Sequence, residues 1–378
     1  MRVGLVDAVE RVGAEAWRPL EAPDFPFFDY EFLDALERSG SVGRGSGWSP
    51  AHLVCEADGR LVGAMPLYLK TDSYGEYVFD WEWAHAYHQN GISYYPKLVA
   101  AVPFTPATGP KVLVGPGADR EAVTGALLDA AREVGEENRA SSTHALFVPE
   151  EDLAGFEERG FAIRHSLQFH WRNRGHDSFE DYLGALTSKR RRQISRERRQ
   201  LDEDLTIERL TGDALRPEHA DMMYRFYTST SDRKWGSPYL NREFFGEVFR
   251  TMKDRLLFVL ARDGRGRPVA GTINFYKDSV LFGRHWGAVE DRRNLHFELC
   301  YYQTIEFAIG RGIKLFEAGA QGEHKIARGY LPSPVYSTHF IADPRLRAPV
   351  EDFLQREREA VEGEMEWLAD EYSPFRQG

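Results

Sequence analysis

Cysteine is scarce in this chain of 378 residues, where only Cys55 and Cys300 occur. Two cysteines exclude a disulfide framework and a four-cysteine metal site, and they suit a reducing compartment. Long apolar runs are also absent. The stretch 98–104 falls far short of the ~18 residues that a membrane-spanning helix needs, and the charges of Arg2 and Asp7 interrupt any signal-peptide core. These absences predict a cytoplasmic protein that is not inserted into a membrane.

Positive charge is in the minority, with 48 Lys and Arg against 59 Asp and Glu and a formal net charge of −11. This balance argues against indiscriminate binding of nucleic acid. Seven basic residues nevertheless lie within positions 189–199 of a predicted helix. A solvated helix face is the ordinary interpretation of such a run. On an acidic chain the run favours a phosphate-bearing ligand, and the predicted phosphate-binding residues are Lys189, Arg190, Arg191 and Arg192.

One order of elements occurs twice along the chain. Two β-type runs joined by Asp58-Gly59 predict a hairpin over 52–70, and 257–277 repeats it with a longer turn. A helix, a strand and a closing phrase of arginine, glycine and an aromatic residue follow each hairpin. They lie at 119–138, 143–148 and Arg159-Gly160-Phe161 in the first copy, and at 297–309, 313–318 and Arg328-Gly329-Tyr330 in the second. Such a shared order indicates a tandem repeat.

The repeat predicts two related α/β domains. The first is expected over residues 1–175 and the second over 176–378. The second domain is expected to include a basic helix (179–202) and an amphipathic C-terminal helix (348–370).

Four phrases carry a resemblance to a known family. They are Tyr77-Val78-Phe79-Asp80-Trp81, Tyr94-Tyr95-Pro96-Lys97-Leu98, Val102-Pro103-Phe104-Thr105-Pro106 and the ten residues Phe316–Lys325. Together with the repeated elements, they resemble the Fem-like acyltransferases of the GNAT superfamily, in the group labelled peptidoglycan biosynthesis/recognition. The resemblance implies an α/β fold with a tandem pair of GNAT-like (acyl-CoA N-acyltransferase) domains, in which mixed β-sheets are flanked by helices.

The resemblance also implies a pyrophosphate-binding loop of the form (Gln/Arg)-x-x-Gly-x-(Gly/Ala) at a helix start, where N–H groups and the helix dipole suit phosphate. Residues 290–295 of the second copy contain no glycine. Residues 112–117 of the first copy keep two glycines but lack the leading Gln or Arg. A plain strand-to-helix turn explains these glycines equally well.

Residues 316–325 contain the densest group of candidate catalytic side chains. A strand that ends in small residues lets a ligand approach the backbone. Acyl transfer to an amine needs a base for the ammonium proton and donors for the tetrahedral oxyanion. Glu317, Glu323 and His324 are the candidate bases, and Gln321 and Lys325 are the candidate donors, which also bind substrate. The structural alternative is a loop of solvated charges in which His324 caps the next helix.

The neighbouring segments supply further candidates: Glu298 as a catalytic group, and Arg284, His285 and His296 as substrate-binding residues. The His-x-Glu pattern at 296–298 occurs in zinc deaminases, but the Pro-Cys-x-x-Cys that completes their metal site is missing. No metal is therefore expected.

In the first domain, aromatic and hydrogen-bonding residues are concentrated in 80–97. The substrate-binding candidates there are Asp80, Trp81, His85, Tyr94, Tyr95 and Lys97. For any single ring, a place in the core is the alternative.

Three functions remain open at this point. The leading one is an N-acyltransferase that moves an acyl or aminoacyl group from an activated donor, with acyl-CoA favoured, to a small-molecule or peptide amine. The second is a Fem-type transferase that uses aminoacyl-tRNA, which would make tRNA a partner. The third is a non-catalytic protein that recognises a peptidoglycan precursor. The sequence leaves the oligomeric state undetermined.

Overall fold

A computed structural model describes residues 1–233, 238–319 and 322–376, without the side chains of residues 231–233 and 323. Its backbone contacts divide the chain into two units. Unit 1 consists of Met1–Leu167 and Pro334–Glu364, and unit 2 of Gln168–Ser333 and Met365–Gly378.

The strands of the described residues are β1 (Arg2–Val6), β2 (Trp48–Pro50), β3 (His52–Ala57), β4 (Arg60–Met65), β5 (Tyr68–Lys70), β6 (Lys97–Ala100), β7 (Leu113–Val114), β8 (Ser142–Val148), β9 (Ala162–Arg172), β10 (Thr206–Leu210), β11 (Leu256–Arg262), β12 (Pro268–Lys277), β13 (Val280–Ala288), β14 (Leu315–Glu317) and β15 (Tyr330–Ile341).

The α-helices are α1 (Ala14–Trp17), α2 (Tyr30–Arg38), α3 (Trp81–Gln89), α4 (Arg120–Glu137), α5 (Leu153–Glu157), α6 (Phe179–Ala185), α7 (Ser188–Arg199), α8 (Pro217–Arg233), α9 (Arg242–Thr251), α10 (Leu295–Phe297), α11 (Gln303–Gly310) and α12 (Pro344–Tyr372). A π-helical segment spans Glu298–Tyr302 between α10 and α11, and a 3-10 helix spans Glu323–Arg328 before β15.

Unit 1 contains an antiparallel sheet in the order β1-β3-β4-β7. Asp58 and Gly59 of the β3–β4 turn both have positive φ, at 51° and 74°, as a two-residue hairpin turn of type I′ requires. A second group of strands pairs in the order β15-β8-β6-β5-β2, and its β6–β8 pair is parallel. Helix α4 begins after Asp119, whose carboxylate accepts the N–H of Ala122 and caps it. The apolar face of α4 packs into the main core of this unit.

Unit 2 repeats the four-stranded antiparallel sheet of unit 1. Its strands follow the order β10-β11-β12-β13, again all antiparallel, and β14 then lies parallel to β13. Residues Leu256–Ala261 of β11 are all buried. Helix α8 approaches β13 so closely that a Cβ at Gly287 would lie 1.8 Å from the carbonyl oxygen of Phe226. Only glycine fits there.

The closing phrase has the same backbone form in both units. Gly160 and Gly329 adopt positive φ of 77° and 81°, and each ends a helical segment just before a strand. The aromatic residues that follow, Phe161 and Tyr330, are buried. Shared strand order and shared closing phrase therefore agree with the predicted tandem of α/β domains.

The two units differ from the predicted domain boundaries of 1–175 and 176–378. Tyr336–Ile341 of β15 pair with β8, which brings residues 334–364 into unit 1, and His170–Arg172 of β9 pair with β14 in unit 2. The C-terminal helix, expected over 348–370, runs from Pro344 to Tyr372 and has most of its length in unit 1. Hydrogen bonds between segments far apart in sequence decide these boundaries. A local sequence pattern does not predict such bonds.

The basic helix expected over 179–202 is two helices, α6 and α7. Leu186 between them is extended and forms a β-bridge with Phe375. This pairing interrupts the helical hydrogen bonds, and α7 restarts at Ser188.

Candidate functional site

The candidate site in unit 2 lies where β13 and β14 stop pairing. Their parallel ladder ends at Phe282 and Glu317. Shortly after this point Ile273 pairs with His285 and Asn274 with Gly283, so Arg284 is the extra residue of a β-bulge in β13. A bulge bends its strand and interrupts the ladder. The backbone beyond Glu317 is thus released from the sheet, as a ligand that approaches the strand end would require.

Lys325 follows this strand end and is buried, with 1% of its surface exposed. Its Nζ donates to the carbonyl oxygen of Gly319 at 2.6 Å, which is its one hydrogen bond within the described residues. Burial lowers its pKa to about 8, because the ammonium group loses water and no described carboxylate pairs with it. When Lys325 is protonated, two of its N–H groups therefore have no partner among the described residues.

His324 lies beside Lys325 at the surface of the same 3-10 helix. Its Nε2 is 2.9 Å from the hydroxyl of Tyr301, so one of these two atoms donates to the other. Partial burial, with the charges of Arg328 and Lys325, lowers the pKa of His324 below 6.5. The ring is therefore neutral at pH 7 and can accept a proton.

Arg328 fixes the helix that carries His324 and Lys325. It is almost fully buried and donates to Glu197 Oε2 at 2.7 Å, to the Tyr302 hydroxyl at 2.9 Å and to the His324 carbonyl oxygen at 2.8 Å. Its guanidinium also lies 3.6 Å from the ring centroid of Phe297. The arginine of the closing phrase thus joins the 3-10 helix to α7 and to the π-helical segment.

The π-helical segment Glu298–Tyr302 borders this site and includes Cys300 and Tyr301. Segments of this kind occur frequently at functional sites. Burial raises the pKa of Cys300 to about 12, so the group is a thiol at neutral pH. This state argues against Cys300 as a nucleophile.

The structure separates the remaining candidates of this unit. Glu298 is buried, and its carboxylate forms an ion pair with Arg198 at 2.9 Å. This carboxylate therefore has a structural partner. His285 packs against the ring of Tyr227 at 4.9 Å, and burial lowers its pKa well below 6.5. Glu317 is buried at the end of β14.

Three candidates remain to be placed. His296 packs edge-to-face on Trp286, with ring centroids 5.2 Å apart, and its ring lies 6.1 Å from that of His324. Gln321 lies outside the described residues, as does the side chain of Glu323.

The basic side chains of helix α7 fall into two sets, one with carboxylate partners among the described residues and one without. Ile194 and Glu197 are buried, and Arg198 pairs with Glu298 and Glu306. The other basic side chains form no ion pair with an acidic residue among those described: Lys189, Arg190, Arg191, Arg192, Arg196 and Arg199. This second set, the basic face of α7, is exposed or half-buried. All four predicted phosphate-binding residues belong to it.

In unit 1 the candidates Asp80, Tyr94 and Lys97 form a buried polar cluster, in which Asp80 Oδ1 has no hydrogen-bond partner among the described residues. Lys97 is fully buried and donates to Ser73 Oγ at 2.9 Å, to Glu76 Oε2 at 2.8 Å and to Asp80. The Tyr94 hydroxyl donates to Asp80 Oδ2 at 2.5 Å. These groups hold one another, so the structure gives them an architectural role.

Burial and the neighbouring charges shift the pKa values of this cluster in opposite directions. Burial raises the pKa of Glu76 to about 7 against the opposing charge of Lys97. Burial acts on Asp80 as well, but the charge and hydrogen bond of Lys97 outweigh it and lower the Asp80 pKa. For Lys97, attraction to both carboxylates outweighs burial and raises the pKa.

The other candidates of unit 1 lie outside this cluster or at its edge. Tyr95 is half-buried, and its hydroxyl is 2.8 Å from Ser73 Oγ. Trp81 and His85 are exposed on α3, where His85 Nε2 contacts the Gln89 amide at 2.8 Å.

Sequence reasoning missed a pair of buried histidines in unit 1, His144 and His339. Their Nδ1 atoms are 2.6 Å apart, and their Nε2 atoms contact Ser142 Oγ at 2.7 Å and Ser337 Oγ at 2.8 Å. The rings come from paired positions of β8 and β15. Because 195 positions separate them, no local signal marks the pair.

Comparison with known proteins identifies the family. The model of the FemAB-like family, described as peptidoglycan biosynthesis/recognition, matches residues 8–377. The chain belongs to the FemAB-like family. No curated protein sequence gives a significant match.

Solved structures with the FemAB-like chain's fold have very different sequences. FemX is 11% identical with a TM-score of 0.55, over 93% of this chain and 100% of its own. L-PGS from Bacillus licheniformis is 11% identical with a TM-score of 0.50, and the match covers 85% of this chain and 94% of L-PGS. A third structure is the C-terminal DUF2156 domain of a putative lysylphosphatidylglycerol synthetase from Agrobacterium fabrum. It is 10% identical with a TM-score of 0.52, and the match covers 93% of this chain and 96% of that domain. At such identities the likeness establishes the fold alone.

Two predictions are thereby confirmed. The FemAB-like chain has the tandem GNAT-like α/β fold, and it is an acyltransferase of the GNAT/Fem-like kind. The transferred unit is an acyl or aminoacyl group.

This FemAB-like protein differs from the expected phosphate-binding arrangement at both helix starts. In unit 1 the carboxylate of Asp119 occupies the first turn of α4, where a phosphate would have to bind. In unit 2 Arg292, before α10, is engaged by Glu290, Asp202 and Asp204 at 3.0–3.2 Å. Neither place offers a free cationic cradle.

Two features are absent from the described part of the FemAB-like chain. Across residues 1–233, 238–319 and 322–376, no group of three His, Cys, Asp or Glu side chains has an arrangement that could hold a metal ion. Within the same ranges, no helix has the length and apolar character to cross a membrane.

Proposed function

We propose that this protein is an N-acyltransferase that moves an acyl or aminoacyl group from an activated donor to an amine, with the chemistry at the end of β14 in unit 2. The observation that carries the proposal is Lys325, a buried lysine with a pKa near 8 that has a single backbone partner among the described residues. A buried cation that pairs with no described carboxylate suits a site where negative charge develops during reaction.

The proposed reaction uses both neighbours on the 3-10 helix. His324, neutral at pH 7, takes a proton from the ammonium form of the acceptor. The free amine attacks the acyl carbon, and Lys325 donates a hydrogen bond to the oxyanion of the tetrahedral intermediate. Collapse of the intermediate expels the thiolate or alkoxide of the donor, the attacking nitrogen gives its second proton to this leaving group, and the amide forms. The proton held by His324 then passes to water. Glu317 and Glu323 remain candidate bases, and Arg284, His296 and Gln321 remain candidate substrate contacts.

The basic face of α7 is proposed to bind the donor. It holds six cations within a helix of 12 residues, which extends about 18 Å at ~1.5 Å per residue. This length exceeds one pyrophosphate and matches several nucleotide phosphates. With Asp119 capping α4 and Arg292 already paired, this observation favours aminoacyl-tRNA as a second candidate donor beside acyl-CoA.

Transfer assays test the chemistry. The protein is incubated with radiolabelled acetyl-CoA, or with aminoacyl-tRNA, and a panel of amines that includes peptidoglycan-precursor peptides. His324→Ala should lower turnover by ~10²–10⁴-fold as the loss of a base, and Lys325→Met by ~10²–10³-fold as the loss of an oxyanion donor. The matched control is His88→Ala, an exposed histidine of unit 1 that is not among the candidate site residues, and it should retain activity.

Three outcomes bear on this proposal, of which the first two would contradict it. Near wild-type turnover in both variants would remove His324 and Lys325 from the reaction. Binding of a precursor peptide without transfer from either donor would favour a recognition protein. Transfer from only one donor class would decide between acyl-CoA and aminoacyl-tRNA.

Salt dependence tests the basic face. The triple variant Arg190→Ala, Arg191→Ala and Arg192→Ala should bind tRNA more weakly, with a smaller slope of log K against log salt, because fewer counterions are released. The control triple variant removes the same charge at arginines that already have carboxylate partners, namely Arg11, Arg345 and Arg358. Equal slopes for the two triple variants would show that the basic face of α7 is solvated and does not bind tRNA.

A further inference from the structure

Residues 73–81 of unit 1 expose their aromatic side chains and bury their polar ones. Tyr74, Phe79 and Trp81 are 61%, 64% and 48% exposed, whereas Glu76 and Asp80 are buried against Lys97. Burying two carboxylates around a lysine is costly unless the pairing is close. The buried cluster therefore fixes a segment that presents large rings to solvent, and such a surface commonly marks a binding site.

Two of these exposed rings, Phe79 and Trp81, line a cavity of about 530 Å³ in unit 1. Phe79 and Trp81 meet Trp83 of α3 and Phe353 of α12, so aromatic rings line the cavity from two helices and a loop. Tyr74 packs edge-to-face on Trp81, with ring centroids 5.7 Å apart, and supports its orientation. The volume falls within the ~300–1,000 Å³ range of small-molecule sites.

Arg164 makes one wall of this cavity rigid. It forms a two-pronged ion pair with Glu357, at 2.6 and 2.7 Å, and donates to the carbonyl oxygen of Phe79 at 2.7 Å. Its guanidinium also lies 5.3 Å from the ring centroid of Trp83. The charge of Arg164 is therefore already balanced by Glu357, and it does not attract an anion into the cavity.

Glu82 supplies the remaining charge of the lining. It is exposed in the first turn of α3, and it has neither a hydrogen bond nor an ion pair among the described residues. Two carboxylates and one guanidinium leave the lining with a net charge of −1. Aromatic faces and an uncompensated carboxylate both attract cations, and this combination recognises organic ammonium groups.

We propose that this cavity binds an organic ammonium compound, with the cation against the rings of Phe79 and Trp81 and close to the carboxylate of Glu82. The ring of Phe353 already has a cation, since the guanidinium of Arg164 lies 5.9 Å from its centroid. The proposal does not rest on acyl transfer, since its residues lie in unit 1 and recognition needs no donor. A ligand with a primary amine would also be a candidate acceptor, whereas a quaternary ammonium has no N–H to acylate and reports recognition alone.

Calorimetric titration of the full chain with choline tests the proposal. The comparison ligand is 3,3-dimethyl-1-butanol, which has the shape of choline without its charge. Wild-type protein should bind choline at least ~10-fold more tightly than the alcohol, since a partly desolvated cation gains from two rings and one carboxylate. Raising the salt concentration should weaken binding of choline and leave binding of the alcohol unchanged.

Two variants at exposed positions locate the site. Trp81→Ala should weaken choline binding by ~3–10-fold, and Glu82→Gln should reduce the preference for choline over the alcohol by at least ~3-fold. Glu133→Gln removes the same charge from an exposed position of α4 outside the cavity and should behave as wild type. Circular dichroism of each variant checks the fold.

Equal affinity of wild-type protein for the two ligands would overturn the proposal and leave an apolar pocket. Choline binding that Trp81→Ala and Glu82→Gln do not change would also overturn it, because the ligand would then bind elsewhere. Neither result bears on the transferase, so failure here and failure of acyl transfer are distinguishable.

Discussion

The buried histidine pair of unit 1 predicts how acid weakens this protein. His144 and His339 are both buried, and burial lowers both pKa values well below 6.5. The folded state therefore binds fewer protons than the unfolded chain once the pH falls below about 6.5. Under linkage, the free energy of unfolding then decreases as the pH falls through that range.

The size of this effect follows from the protonation of the unfolded chain. A histidine with a pKa of ~6.5 is about 9% protonated at pH 7.5 and about 91% protonated at pH 5.5. A ring that stays neutral in the folded protein therefore costs about 1.4 kcal/mol of unfolding free energy over this interval, and two rings cost about 2.7 kcal/mol. Protonating both rings would also set two N–H groups against each other across the 2.6 Å between the Nδ1 atoms.

Urea unfolding of the full chain at pH 7.5 and pH 5.5 measures the effect. The double variant His144→Gln/His339→Gln is expected to be less stable at pH 7.5, because it loses buried hydrogen bonds. Its further loss on going to pH 5.5 should be smaller than the wild-type loss by about 2.7 kcal/mol, and that of either single variant by about 1.4 kcal/mol. Buried histidines of unit 2 contribute equally to all these proteins and cancel.

His85→Gln is the control, since it removes an exposed histidine of the same unit. It should reproduce the pH dependence of the wild type. Equal losses of stability in the wild type and the double variant would refute the reasoning, because the pair would then take up protons in the folded state as readily as in the unfolded chain.

Three further substitutions test the buried contacts by urea unfolding at pH 7. Lys97→Met should destabilise the protein by ~3–5 kcal/mol, because it leaves Asp80 buried without its cation. Arg328→Met should cost a similar ~3–5 kcal/mol, since Glu197 loses a buried partner at 2.7 Å. Asp119→Ala should cost ~0.5–2 kcal/mol through loss of the cap of α4.

Each of these substitutions has a matched comparison. Adding Asp80→Asn to Lys97→Met, or Glu197→Gln to Arg328→Met, should recover part of the loss because the stranded charge is removed. Asp119→Asn should cost less than Asp119→Ala, since the amide oxygen still caps. Stability within ~0.5 kcal/mol of wild type for Lys97→Met or Arg328→Met would show that water already solvates the carboxylate.

Local sequence determined the repeated elements of this protein. The Asp58-Gly59 turn, the helix that Asp119 starts and the glycines of both closing phrases were all predicted, because each depends on the backbone preferences of a few neighbouring residues. The cluster at 316–325 was predicted for the same kind of reason, as a strand end with small and polar residues. Family resemblance added the fold and the class of reaction.

Tertiary structure alone decided which charges are free. The sequence does not distinguish Arg198 from Arg192, yet Arg198 pairs with Glu298 across 100 positions. Among the described residues, Arg192 bonds to the backbone of its own helix. The sequence does not distinguish Lys97 from Lys325 either. In the structure, Lys97 donates to two carboxylates, whereas Lys325 donates to one backbone carbonyl oxygen. The pKa of a buried group depends on the charges that the fold brings to it from distant segments, and no local pattern of residues contains that information.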